Sequence, residues 1–262
     1  MVDPMPVTFL AHQAPVLPLK RWRPDLDGVA MVAGTITPDL ARTIPPRFAL
    51  IYDGYPVWWD GHAPVQALTG GVVVALLLTW SARRLVLPRL GGYLPDLGQF
   101  HLRDLRLLGR NRHPWWMVVL GIVIGTLTHL VLDLFTHTDR GIVLPGLDVH
   151  LFDLGSRSVR VATVVQVLAS VGLSVFAVWE MFDIGRRRLF SQWSGVVPGS
   201  AETMGSTSAV PVAVVAAAIL SGLVGMSRMQ GGPIAAFLTA AVVGWLALCV
   251  IAAFVRPDRS PG

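Results

Sequence analysis

The stretch from Trp115 to Asp139, WWMVVLGIVIGTLTHLVLDLFTHTD, constrains this chain more than any other. It opens as an apolar run long enough to cross a bilayer, which takes about 20 residues of helix. Its last third then carries Thr128, His129, Asp133, Thr136 and His137. Ionisable groups at membrane depth cost on the order of 3 kcal/mol each. A span that keeps them needs something for them to bind. His129, Asp133 and His137 fall at i, i+4 and i+8, so they share one helix face. A neutral imidazole and a carboxylate one turn apart can grip a divalent cation, and His137 could serve a second ion or a proton relay. The same residues could instead form a hydrogen-bonded set that locks helices together.

Composition extends the membrane reading to the whole chain. Mean hydropathy is +0.59 and only 14% of residues are charged, against about 25% in soluble domains. The basic residues are nearly all arginine, with Lys20 the single lysine. The net charge of +5 therefore reads as loop charge that sets orientation, not as nucleic-acid binding. Cys249 is the lone cysteine, which excludes an internal disulfide and a multi-cysteine metal site. The N-terminus lacks the pattern of a cleavable signal peptide, so insertion is expected to use internal spans.

Taken in order, residues 1–24 are short apolar pieces cut by Pro6, Pro15 and Pro18, with His12 expected in the first turn of a short helix. Gly28 to Ile36 is apolar but too short to cross straight. It predicts a buried or re-entrant helix that ends at Pro38-Asp39. Residues 48–62 are aromatic with turn residues, as at a membrane–water interface, and finish at His62. Residues 63–81 form the first span. Residues 82–114 hold Arg83, Arg84, Arg89, Arg103, Arg106, Arg110 and Arg112 and read as a cytoplasmic loop. Residues 115–136 form the second span, and 158–182 the third, with Gln166 inside it and Glu180 near its end. Residues 183–209 read as a cytoplasmic linker, Ser- and Gly-rich and mobile from 191 onward. Residues 210–227 and 233–255 make a hairpin of two further spans, expected to pack and anchor only.

The expected fold is thus all-α: a polytopic bundle of about five spans with an N-terminal membrane-associated helical hairpin. Its parts are a core over 1–182, the linker over 183–209, and a C-terminal hairpin and tail over 210–262. Loop charge places His62, Asp133, His137 and Gln166 toward the outer side, with His129 about two turns below His137. Residues chosen for their chemistry so fall at one level. His12, Asp39, His62, His129 and Asp133, with His137 as a further candidate, are the residues that could carry chemistry. Histidine and carboxylate donors without cysteine suit Zn²⁺, Mn²⁺ or Fe²⁺, and such an ion can supply a hydroxide nucleophile.

Three segments carry a resemblance: M-P-V-T-F-L-A-H-Q-A-P, A-G-T-I-T-P-D and G-T-L-T-H-L-V-L-D-L-F-T-H. Together they resemble the bacterial membrane family known as domain of unknown function 4184, over roughly Met5 to Phe182. More distantly they resemble the YdjM-like inner-membrane proteins described as metal-dependent hydrolases. The resemblance implies a metal set of His12, Asp39, His62, His129 and Asp133, with a divalent cation such as Zn²⁺, in a bacterial cytoplasmic-membrane protein surrounded by lipid. It implies hydrolysis at the membrane surface, on a lipid or other phosphoester. The D-G-H-A-P around His62 departs from a family preference for His followed by Ser. The alternative is a non-enzymatic structural or partner-binding protein whose polar cluster locks helices or binds metal. A transporter is a weaker third reading.

The charge pattern predicts that residues 82–114, residues 183–209 and the C-terminus face the cytoplasm. Reporter fusions after Arg112 and after Arg259 should be active only with a reporter that works in the cytoplasm. Activity of an export-dependent reporter at either point would reverse the assignment.

Overall fold

The computed structural model describes residues 8–41, 51–52, 55–56, 61–94, 96–136, 145–155, 157–196, 209–226 and 233–255. The chain begins with α1 (Thr8–Ala11) and α2 (Val16–Trp22), turns, and returns as α3 (Gly28–Leu40). Two short strands, β1 (Ile51–Tyr52) and β2 (Tyr55–Pro56), pair antiparallel. Then come α4 (Pro64–Leu68), α5 (Gly70–Ser81), a π-helical turn at Ala82–Val86, α6 (Leu87–Leu90) and 3-10 turns at Gly91–Tyr93 and Leu102–Gly109. The long α7 (Trp115–Thr136) leads to a hairpin of β3 (His150–Leu154) and β4 (Arg157–Arg160). The chain ends with α8 (Val161–Arg186), α9 (Leu189–Trp193), α10 (Ala209–Met226) and α11 (Pro233–Phe254).

Among the described residues, three stretches are long and apolar enough to cross a membrane: Pro64–Tyr93, Trp115–Phe135 and Val161–Arg186. The apolar helices α10 and α11 pack on each other as a hairpin. Exposed tryptophans Trp22, Trp80, Trp115, Trp116 and Trp179 gather at the end where the arginines lie. Amphipathic rings are favoured at the boundary between hydrocarbon and headgroups.

Several sequence expectations are corrected. The helix from Gly28, expected to end in a bend at Pro38-Asp39, instead carries both residues inside it and ends at Leu40. Proline removes the N–H that would bond the carbonyl four residues back, here that of Gly34. Thr126 fills the vacancy by donating its hydroxyl to that carbonyl at 3.3 Å. His12 follows α1 rather than opening it. The first span does not end at Ser81. It runs on to Tyr93, where an Arg-rich loop was expected. Pro88 cannot donate to Arg84 and its ring crowds that carbonyl. Just upstream the helix widens, and the Leu87 N–H bonds the Ala82 carbonyl five residues back, a common accommodation in helices. The third span starts at Val161, because residues 157–160 are strand, and reaches Arg186. The all-α expectation therefore gains two small hairpins of strand. Helix α9 replaces the start of the expected mobile linker; residues 197–208 of that linker lie outside the described residues, as do most of residues 42–60.

The N-terminal hairpin is held at its Arg-rich end by buried charge. Asp27 is fully buried, caps α3 by accepting from the Ala30 N–H at 3.0 Å, and accepts from Arg83 Nη2 at 2.7 Å. Arg83 also donates to the Asn111 carbonyl. Lys20 closes the turn by donating to the carbonyls of Pro24 at 2.6 Å and Leu26 at 2.7 Å. Burial pushes its ammonium down to about 8, partly opposed by Asp27. Arg21 bonds both oxygens of Glu180 at 3.0 Å and approaches Asp183 at 3.3 Å, which ties α2 to the foot of α8.

Helices α3 and α7 run parallel at a constant offset. The Asp27 carbonyl faces Gly121, the Met31 carbonyl faces Gly125, and the Thr35 carbonyl bonds His129. The offset is 94 residues, so Asp39 falls opposite Asp133. The approach is close enough that a Cβ at Gly125 would overlap the Met31 carbonyl, and one at Gly34 the Ile122 carbonyl. Small residues that let backbones touch are the usual basis of helix association in lipid.

Gly125→Leu should therefore force the pair apart. Overpacking of this kind costs about 1–3 kcal/mol or more. A melting temperature unchanged from wild type in detergent would show that the contact is not as tight as described.

Candidate metal centre

Four segments bring five side chains together at the end opposite Asp27 and Arg83. His12 comes from the turn between α1 and α2, and Asp39 from the last turn of α3. His62 lies just before α4, and His129 and Asp133 sit one turn apart on α7. Gly61 makes the fourth contact possible, since a Cβ there would overlap the Pro38 carbonyl. Without it, His62 could not lie beside Asp39. The sixth candidate, His137, lies outside the described residues.

The distances are those of a shared site. His62 Nε2 is 3.5 Å from Asp39 Oδ1 and 3.4 Å from Asp133 Oδ2. His129 Nε2 is 3.9 Å from Asp39 Oδ1 and 3.6 Å from Asp133 Oδ2. His12 Nε2 is 3.7 Å from Asp133 Oδ1. Two groups, His12 with His129 and Asp133, and Asp39 with His62 and His129, each offer donor atoms within 4.8 Å of one another. Metal–donor bonds near 2.1 Å place neighbouring donors about 3–4 Å apart, which is the spacing found.

His129 is the best-oriented member. Its Nδ1 lies 2.8 Å from the Thr35 carbonyl, which can only accept, so Nδ1 carries the proton. In its neutral form the ring would then present the Nε2 lone pair to the cluster. That atom is buried and makes no hydrogen bond. A ligating histidine is commonly fixed in this way, through its other nitrogen.

Electrostatics call for a cation. Asp39 and Asp133 stand in the last turns of two parallel helices, where backbone carbonyls already put partial negative charge. Their ion-pair contacts among the described residues run to the three histidines. Burial alone would raise the Asp39 pKa, but the His62 hydrogen bond and the nearby imidazoles hold it at about 2. His129 and Asp133 are nearly sealed, whereas Asp39 keeps 17% and His62 11% of their side-chain surface. Access to the cluster is from the Asp39–His62 side.

Sequence reasoning missed the residues that build this site without touching an ion. Thr35 acts through its backbone, Thr126 through Pro38, and Gly34, Gly61 and Gly125 by lacking a side chain. The signal for one of them was present: Gly125 follows Gly121 by four residues in α7, the spacing of small-residue helix contacts. Gln166 is buried in α8.

The family model described as Domain of unknown function (DUF4184) matches residues 5–256. The match extends well past Phe182, through the C-terminal hairpin. No curated protein and no solved structure matches the chain, and the more distant likeness to YdjM-like proteins draws no support from these comparisons.

Proposed function

The chain belongs to the family of Domain of unknown function 4184, and from its geometry we propose that it is a metal-dependent hydrolase embedded in the bacterial cytoplasmic membrane. The observation that carries the reading is the buried Nε2 of His129, positioned by the Nδ1 contact to Thr35 and lying 3.9 Å from Asp39 and 3.6 Å from Asp133. A divalent ion in such a site activates water and polarises an ester oxygen. Between them His12, His62, His129, Asp39 and Asp133 would supply the protein donors of the centre, and water and substrate would enter from the partly open Asp39–His62 side. The substrate class is a lipid or other phosphoester reached at the outer membrane surface. Five spans, with α10 and α11 as the last two, and a cytoplasmic C-terminus complete the proposed topology.

A helix lock is the competing reading, because the cluster joins the N-terminal hairpin to α4 and α7. Asp133 separates the two. Asp133→Asn keeps the shape and a hydrogen-bonding amide but loses the anion. As a ligand loss it should remove metal as completely as Asp133→Ala, and addition of chelator should leave the melting temperature of either variant unchanged while lowering that of wild type. If Asn matches wild type in metal content and stability, and Ala alone unfolds the protein, the cluster is structural and the hydrolase reading is wrong.

A further inference from the structure

Resting on that reading, we infer that the centre holds two divalent ions bridged by Asp133, one bound by His12 and the other by Asp39, His62 and His129. An imidazole binds metal through a lone pair that lies in the plane of its ring, so each ion must sit close to the plane of every histidine that ligates it. The rings of His12 and His129 are stacked, with centroids 3.8 Å apart and planes only 22° from parallel. Two such planes do not meet within bonding reach of either Nε2. One ion therefore cannot take both lone pairs, even though the nitrogens are close. His62 and His129 are different: their centroids are 5.5 Å apart and their planes cross at 51°, so their lone pairs can converge.

The carboxylate of Asp133 divides in the same way. Its Oδ1 faces His12 at 3.7 Å, while its Oδ2 faces His62 at 3.4 Å and His129 at 3.6 Å. A carboxylate whose two oxygens point to different histidine sets bridges two ions, which in two-metal sites lie about 3.5–4 Å apart. Asp39 Oδ1, 3.5 Å from His62 and 3.9 Å from His129, joins the second ion. That ion has four protein donors. The first has two among the described residues, His12 and Asp133, and so keeps more positions for water or substrate.

The test counts metal. Full-length protein in detergent is loaded with Mn²⁺, dialysed, and its metal and chain concentrations measured. Two ions per chain are expected in wild type and one in His12→Ala. Electron paramagnetic resonance of the loaded wild type should show an exchange-coupled pair, a readout that does not depend on whether His12→Ala folds. One uncoupled ion per chain in wild type overturns the two-ion centre but leaves the hydrolase reading standing. Two ions in His12→Ala overturn the assignment of His12. No bound ion overturns both.

Discussion

The parallel contact between α3 and α7 is the interaction on which the rest depends. Helices in lipid gain little from burying apolar surface against each other and associate through close packing and hydrogen bonds. Here Gly34 and Gly125 let carbonyl groups of one backbone reach the other. Two of the hydrogen bonds that cross the contact have a purpose beyond adhesion. Thr126 to Gly34 lets α3 continue through Pro38 to Asp39, and His129 to Thr35 orients the imidazole. The contact that docks the hairpin is therefore also the one that aims the ligands.

The N-terminal hairpin is held at both ends. At the Arg-rich end it is held by Asp27 with Arg83, Lys20 with its turn carbonyls, and Arg21 with Glu180 and Asp183. Breaking a buried ion pair by removing one partner costs about 3–5 kcal/mol, so these contacts strongly favour one register. At the other end the cluster itself joins the hairpin to α4 and α7. About 18 Å of α3 separates Asp27 from Asp39 at 1.5 Å per residue, and α7 spans the same rise from Gly121 to Asp133. Equal lengths of two parallel helices put the two carboxylates at one level.

The C-terminal hairpin docks elsewhere. Arg89 donates to the Ala252 carbonyl at 2.8 Å and Trp245 to the Ser81 hydroxyl at 3.1 Å. A shared apolar cluster of Val86, Leu90, Val210 and Ala252 lies at the same place. All of these contacts are on the arginine-bearing half of the first span, far along the helix from His62. The arrangement fits a packing role, and the family match covers this hairpin together with the core.

The sequence by itself determined the membrane class, the extent of α7, and the identities of the five ligand candidates. Those rest on local properties: apolar length, helical spacing, and the cost of ionisable side chains in an apolar run. His12, Asp39 and His62 were legible as chemistry, but not as neighbours of His129, because no spacing along the chain encodes an offset of 94 residues. Helix through Pro38 was illegible for the same reason. Proline breaks a helix unless another element supplies the missing donor, and Thr126 lies on α7. The strands at 150–154 and 157–160, and the π turn before Pro88, likewise follow from hydrogen-bond partners that only the folded backbone selects. Tertiary structure alone decided how the rings of His12 and His129 face each other, because it packs α1 against α8 and α2 against α3, α7 and α8, which no single segment specifies.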